Sequence, residues 1–337
     1  MTNLLLAKPK LEEGWIDCSV GEAHIVKNIL LKTFNILPYT LPNNNLFEYP
    51  PPQGYEPLVK LLEDKYNAPV IITNGAKGAL ASCFYALNKM GHKTIGMRSP
   101  YWALIPPLVK EYGLKPIFDP PNKVSAVDSH LVVSPNNPDG FIDDLEYYET
   151  YCRLIGKTVF IHDSVYYTHT YMDPSEQLKV YGDAQIYSAS KAFGLSGLRI
   201  GWIICRNTKM YDHIKSYMET MTVGVSMLSQ CFLFDLLTNM NERPDLLKRF
   251  EVESRAALIS AKKTMLQVNP DILNVPFKIA DSNGMFLFCK IPDYSVLERA
   301  KIFAIDGIHF GMPGYVRMNL ALDLPVIEEI VKRLNNV

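Results

Sequence analysis

PVIITNGAKGALASCFYALNKMGHKTIGM, residues 69–97, reads as a strand, a glycine turn, a helix and a second strand. PVIIT (69–73) is a short apolar run rich in β-branched residues. Ala76, Ala79, Leu80, Cys83, Phe84 and Leu87 then recur at helical spacing and form one stripe. KTIGM (93–97) returns to a strand pattern. A strand–helix–strand unit whose strands are apolar throughout predicts a mostly parallel sheet covered on both faces. The alternation continues outward. LVVS (131–134), KTVFIHD (157–163) and AQIYS (184–188) are further strands, and RIGWIIC (199–205) can pair at the same sheet.

Beyond residue 207 the pattern turns helical, with long segments expected around 209–240 and 245–268. The final PVIEEIVKRLNN places Val326, Ile327, Ile330, Val331 and Leu334 on one helical face. MFLFCKI (285–291) and YVRMNLAL (315–322) alternate as strands do. A small α+β domain at the C-terminus, joined by a long helix, is the economical reading.

Composition narrows the function classes. Across 337 residues the hydrophobic share of 48% can fill a large core, and 20% charged excludes wholesale disorder. Thirty-four basic against 35 acidic residues leave a formal charge of −1, which argues against a polyanion-binding chain. The opening MTNLLLAKPKLEEGW is charged too early for a signal peptide, and no window approaches a membrane span. The six cysteines include no C-x-x-C pair, which suits reduced thiols in a cytoplasmic enzyme.

In open parallel sheets ligands sit beyond the carboxyl ends of the strands, so the residues there carry the functional reading. Asn74-Gly75-Ala76-Lys77 opens a helix, whose free N–H groups and positive dipole end can cradle a phosphate; an ordinary tight turn is the plainer account. Neither a Walker loop nor G-x-G-x-x-G is present. NNPDG (136–140) is a turn by its Asn-Pro and Asp-Gly pairs, which leaves the amide at a strand end unexplained. Asp163 closes an apolar strand, where a buried carboxylate needs a cationic partner; a structural salt bridge would supply one equally well. In YSASKAFGLSGLRIGW (187–202), Lys191 follows a strand and Arg199 lies eight positions on. A lysine held in a partly buried pocket has a lowered pKa and becomes a usable nucleophile. His162 should face away from Asp163 across the strand, and His169 and His309 lack metal-ligand spacing. Cys205 and Cys289 read as packing residues, and the Met and Phe of 209–240 as core and dimer surface.

S-A-S-K-x-F-G-L-x-G-x-R-x-G-W resembles the Schiff-base lysine signature of the class I/II, fold-type I pyridoxal-phosphate aminotransferases. Other pieces follow in that family's order: Gly21-Glu22, Y-P-P-P-Q-G (49–54), N-G-A-K (74–77), P-Y-W (100–102), N-N-P-D-G, D-S-V-Y and V-R-M-N (316–319). NPDG, the run at 163–167 and GVSMLSQ (224–230) look closest to the alliinase and plant tryptophan aminotransferase branch. The resemblance implies a seven-stranded, mostly parallel sheet flanked by helices. It divides the chain into an N-terminal segment (1–40) packing with the small domain, a large cofactor domain (41–235) and the small C-terminal domain (236–337).

What the resemblance implies for single residues can be set beside their chemistry. Lys191 would hold pyridoxal 5′-phosphate as a Schiff base and shuttle the substrate proton, and Asp163 would pair with the pyridine nitrogen. Tyr166 and Asn137 would bond the cofactor's phenolic oxygen, and Trp102, rather than Tyr101, would stack on its ring. Gly75, Ala76, Lys77, Ser188 and Arg199 would hold the phosphate, with Tyr49 reaching in from the second subunit of a homodimer. Arg317 would clamp the substrate α-carboxylate, and the Gly21 loop would close over it. No metal is expected. Ser190, on a strand-like segment beside Lys191, is expected to face away. The expected activity moves an α-amino group from an L-amino acid to a 2-oxo acid; a lyase or synthase acting by β-elimination is the alternative on the same residues. The short N-terminus and the lack of a hydroxyl at Ala76 or Lys77 depart from the family's usual pattern.

Overall fold

The computed structural model describes residues 11–37, 39, 48–120, 127–156, 158–279 and 282–337. Lys157, at the head of the expected strand 157–163, and parts of the expected N-terminal segment and large-domain boundary (1–10, 38 and 40–47) lie outside them. The N-terminal stretch contributes β1 (Ile16–Asp17) and α1 (His24–Phe34). The large domain follows with α2 (Glu56–Tyr66), β2 (Val70–Thr73), α3 (Gly75–Lys89), β3 (Thr94–Met97), α4 (Ile105–Glu111) and β4 (Lys115–Phe118). It continues through β5 (Ser129–Val133), α5 (Leu145–Ile155), β6 (Val159–Asp163), β7 (Ala184–Ser188), α6 (Ala189–Ala192) and β8 (Gly201–Cys205). Three helices, α7 (Thr208–Met221), α8 (Met227–Glu242) and α9 (Pro244–Met265), lead to the small domain. That domain holds β9 (Phe286–Lys290), α10 (Ser295–Arg299), β10 (Ile302–Phe303), β11 (Ile305–Asp306), β12 (Tyr315–Asn319) and α11 (Leu324–Asn335).

The main sheet has seven strands in the order β2-β8-β7-β6-β5-β3-β4. Neighbours from β7 to β4 run parallel, and β8 is antiparallel to both β7 and β2. All residues of β2, β5, β6, β7 and β8 are buried, which is why these strands read as continuous apolar runs. In α3 the expected stripe is buried at Ala79, Leu80, Cys83, Phe84 and Leu87. Each fully buried Leu or Phe contributes about 1.5–3 kcal/mol, so this one helix anchors the sheet face firmly.

Two elements differ from the sequence expectation. KPIF forms β4, an edge strand that sequence analysis passed over; its ends are exposed and a proline sits inside it, so it carries neither alternation nor a continuous apolar run. The long helix expected over 209–240 is two helices. Val223 and Gly224 take φ of 52° and 101° between them, and helical hydrogen bonding cannot pass through left-handed backbone. A Cβ on Gly224 would lie 2.6 Å from the Pro50 ring, so the break also lets the chain pass close to the Y-P-P-P segment.

Two cores meet along α9. Phe250 and Leu258 belong to the large core, while Ala261 and Met265 belong to that of the small domain. The N-terminal stretch also serves both: Val26, Leu30 and Phe34 of α1 enter the large core, whereas β1 pairs with β10 and Cys18 enters the small one. Residues 18–23 therefore cross from one domain to the other, directly over the sheet's carboxyl edge.

Candidate active site

The strand ends deliver their side chains to one place. β6 ends on Asp163, β5 runs into Asn136 and Asn137, and β7 ends on Ser188. Ser188 caps α6 by accepting a hydrogen bond from the Ser190 amide at 3.2 Å. Residues 189–192 are thus a helical turn and not the strand-like segment expected; the cap draws the backbone out of the ladder. Ser190 is buried in that turn.

Lys191 projects from α6 to the segment crossing above it, where Nζ donates to the Gly21 carbonyl oxygen. Burial, seconded by the nearby Arg317 cation, lowers its pKa to about 8. Asp163 is 4% exposed, and among the described residues no ion pair reaches it. Burial pushes its carboxyl up to about 7, against the pull of the Val165 amide (3.4 Å) and of Lys191. Tyr166 lies beside them, its phenol held well above the usual range by burial. Its ring meets Tyr171 edge-on at 5.3 Å, and the Tyr171 hydroxyl donates to the Lys191 carbonyl at 2.9 Å.

Arg317 enters from β12 of the small domain and is buried. Nη1 donates to Asn137 Oδ1 at 3.2 Å and Nη2 to the Ser19 carbonyl at 2.6 Å, while Nε is buried without a partner among the described residues. Its guanidinium lies 4.3 Å from the Phe286 ring centroid and 5.0 Å from that of Phe310. Burial lowers its pKa to about 10, yet it remains cationic at neutral pH. A planar fork that spends two of its five N–H donors, between two aromatic rings, suits a carboxylate.

The turn after β2 forms a cradle. Gly75 takes φ 65°, and a Cβ there would lie 2.9 Å from Arg199 Nη2. A Cβ on Gly201 would lie 2.9 Å from the Gly75 carbonyl carbon and 3.1 Å from the Ala76 nitrogen. Glycine at both positions thus brings the start of α3, which no side chain caps, against the Arg199 guanidinium. Arg199 itself is exposed and holds left-handed backbone, φ 50°. Free N–H groups, a helix dipole and a guanidinium together suit a phosphate. Lys77 is exposed, so its backbone rather than its ammonium belongs to the cradle.

Among the remaining candidates, Trp102 packs at the edge of the large core, while Tyr101 stacks on Phe118 at 4.6 Å. Tyr49 is 86% exposed. His162 turns to the opposite side of the sheet, bonds the Ser134 carbonyl at 2.9 Å, and burial lowers its pKa to about 4. His169 faces Glu251 at 3.6 Å. Among the described residues no group of three His, Cys, Asp or Glu could hold a metal ion, and no helix is long and apolar enough to cross a membrane. All six cysteines are free and buried. Two open clefts, of about 460 and 420 Å³, are lined by Met172, Asp173, Arg255 and Lys263 and by His92, Glu149, Cys152 and Arg206 respectively. Neither includes a residue of the Lys191 cluster.

The family model described as "Aminotransferase class I and II" matches residues 19–334. The chain belongs to that family. An aspartate aminotransferase of Thermotoga maritima is 25% identical over 331 residues, covering 86% of this chain and 83% of the relative. Tryptophan aminotransferase-related protein 3 of Arabidopsis thaliana is 26% identical over 222 residues, covering 60% of this aminotransferase and 47% of the plant protein. In fold, the chain is similar to Thermus thermophilus aspartate aminotransferase solved with maleate, at TM-score 0.76 and 18% identity, over 96% of this chain and 91% of that one. The α/β fold with its seven-stranded sheet and small domain is thus that of the family's solved members.

Three features of this aminotransferase's site are not visible in its sequence. They are the carbonyls of Ser19 and Gly21, the Phe286 and Phe310 rings about Arg317, and the Tyr171 hydroxyl under Lys191. Phe286 stood in an apolar run indistinguishable from core, Phe310 in a Gly-, His- and Pro-containing turn without strand or helix pattern, and backbone carbonyls leave no residue-type signal.

Proposed function

We propose that this aminotransferase binds pyridoxal 5′-phosphate at Lys191 and moves the α-amino group of an L-amino acid to a 2-oxo acid. The observation that carries the reading is a half-buried lysine with no ion pair among the described residues, its amine set near a buried carboxyl that also lacks one. The residues fit the cofactor. The cradle of Gly75, Ala76 and Lys77 backbone groups, with Ser188 and Arg199, would hold its phosphate; Asp163 would face its pyridine nitrogen; Asn137 and Tyr166 would bond its phenolic oxygen; Trp102 would cover the ring. When bound, the cofactor supplies an electron sink for charge developing at the substrate Cα.

The chain's own groups do the rest. A lysine with pKa near 8 has an appreciable neutral fraction at physiological pH, so its Nζ can take a proton from Cα and return it. Arg317 binds the α-carboxylate with the guanidinium N–H groups that Asn137 and Ser19 leave unused, which orients Cα toward Lys191. Phe286 and Phe310 exclude water around that contact and strengthen it. Asp163, already costly to ionise, is stabilised as an anion only when a cation lies against it, so it favours the protonated pyridine nitrogen.

The exposed phenol of Tyr49 is available to the phosphate of a second copy, which supports a homodimer with shared sites. Free, buried cysteines support a reducing compartment, the cytoplasm. The test is an amino-donor screen without acceptor. Stoichiometric release of one 2-oxo acid per site, with no ammonia, is expected. Continuous release of ammonia and pyruvate would assign the site to elimination.

A further inference from the structure

We propose that Asn319 is a positioning residue, an amide clip that holds the 19–22 strap over Lys191 and Arg317. The inference rests on the roles given above to those two residues. Arg317 and Asn319 are two apart on β12 and so face the same side of the strand. The Asn319 side chain is 1% exposed and fully used. Nδ2 donates to the Val20 carbonyl at 2.9 Å and to the Glu22 carbonyl at 2.8 Å, and Oδ1 accepts from the Ala321 amide at 2.9 Å. Its backbone N–H donates to the Cys18 carbonyl at 2.8 Å.

Gly21 lies between the two clipped carbonyls, and its own carbonyl accepts from Lys191. A Cβ at Gly21 would lie 3.2 Å from the Phe286 ring and 3.4 Å from Lys191 Nζ, so the strap sits close against both. The Ser19 carbonyl, one residue before the clip, occupies Arg317 Nη2. Asn319 touches neither Lys191 nor the Arg317 guanidinium; it acts through the strap. Only a side chain with two donors and one acceptor can bridge two carbonyls and an amide at once. Aspartate offers acceptors alone, and serine one donor.

The test uses Asn319→Ala, Asn319→Asp and Asn319→Ser, with Asn28→Ala as control. Asn28 ties α1 to the exposed Asp323 at 3.2 Å without touching the strap. The first readout is carbamylation of Lys191 by cyanate in cofactor-free protein, followed by peptide mass; it requires no amino transfer. The second is the affinity of the cofactor-loaded enzyme for 3-phenylpropionate, a carboxylate with no amino group. Displacing the strap should speed Lys191 carbamylation about fivefold and weaken carboxylate affinity about tenfold, with KM rising more than kcat falls. Asn28→Ala should move neither readout. Serine should recover part of the loss. If the folded Asn319 variants lose only thermal stability, with Lys191 reactivity and carboxylate affinity as in the parent, the proposal is overturned. Failure of all three to fold would likewise assign Asn319 to stability alone. Cofactor attachment at a lysine other than 191 would instead sink the functional reading, leaving the carbamylation result to judge the clip.

Discussion

Replacing Asp163 by Asn should make the cofactor-free protein more stable and the loaded enzyme far slower. The carboxyl is raised from an ordinary 3.8 to about 7 because it is buried with no ion pair among the described residues. The folded chain therefore holds this proton more tightly than the unfolded chain. Its stability falls as pH rises from about 4 through about 7, and the loss is complete above that window. The difference corresponds to about 4 kcal/mol at pH 8, an upper figure because a strained anion draws in water and local relaxation. Asparagine keeps the shape and carries no charge, so the Asp163→Asn variant escapes that cost at pH 8 and gains nothing at pH 4. With an unfolding entropy of about 2.1 cal/mol/K per residue, the relief corresponds to a rise in Tm of about 6 °C at pH 8. Calorimetry of the cofactor-free proteins at the two pH values measures it. The loaded variant should lose about 10³-fold in turnover, since the ring nitrogen has no anionic partner. A variant less stable than the parent at pH 8 would mean that Asp163 serves a structural pair, and near-normal turnover would remove it from the chemistry.

Borohydride reduction followed by peptide mapping should leave the pyridoxyl group on Lys191, and Lys191→Ala should retain some cofactor through the phosphate cradle while losing turnover; an adduct elsewhere contradicts the assignment. Arg317→Lys should raise KM by about tenfold or more with a smaller fall in kcat, because an ammonium cannot bridge Asn137, the Ser19 carbonyl and a carboxylate as a planar fork does; unchanged KM would place the carboxylate elsewhere. Mixing Tyr49→Phe with Lys191→Ala subunits should restore activity if Tyr49 acts across a dimer interface, because one site of the heterodimer then carries neither lesion; no recovery, or a monomer by sedimentation, would count against the shared site.

The βαβ alternation around 69–97 was legible because apolar runs and a helical stripe are local and periodic. Asp163, Asn137, Ser188 and Lys191 were legible as candidates for the same reason: each stands at or shortly after the end of a recognisable strand, where open sheets present their ligands. Legibility failed where local pattern was weak. KPIF carries a proline on a half-exposed edge, and the 222–226 break turns on left-handed backbone at Val223, a residue type that gives no warning of it. What surrounds each charged group of the site lay beyond sequence. The Gly21 carbonyl meets Lys191 across 170 residues and the Ser19 carbonyl meets Arg317 across 298. Such contacts are made by backbone groups common to every residue, so their identity is set by where the chain passes and not by what it contains. The same holds for the proton affinities of Asp163 and Lys191, which follow from the exclusion of water by a closed tertiary structure, because desolvation depends on everything packed around a group.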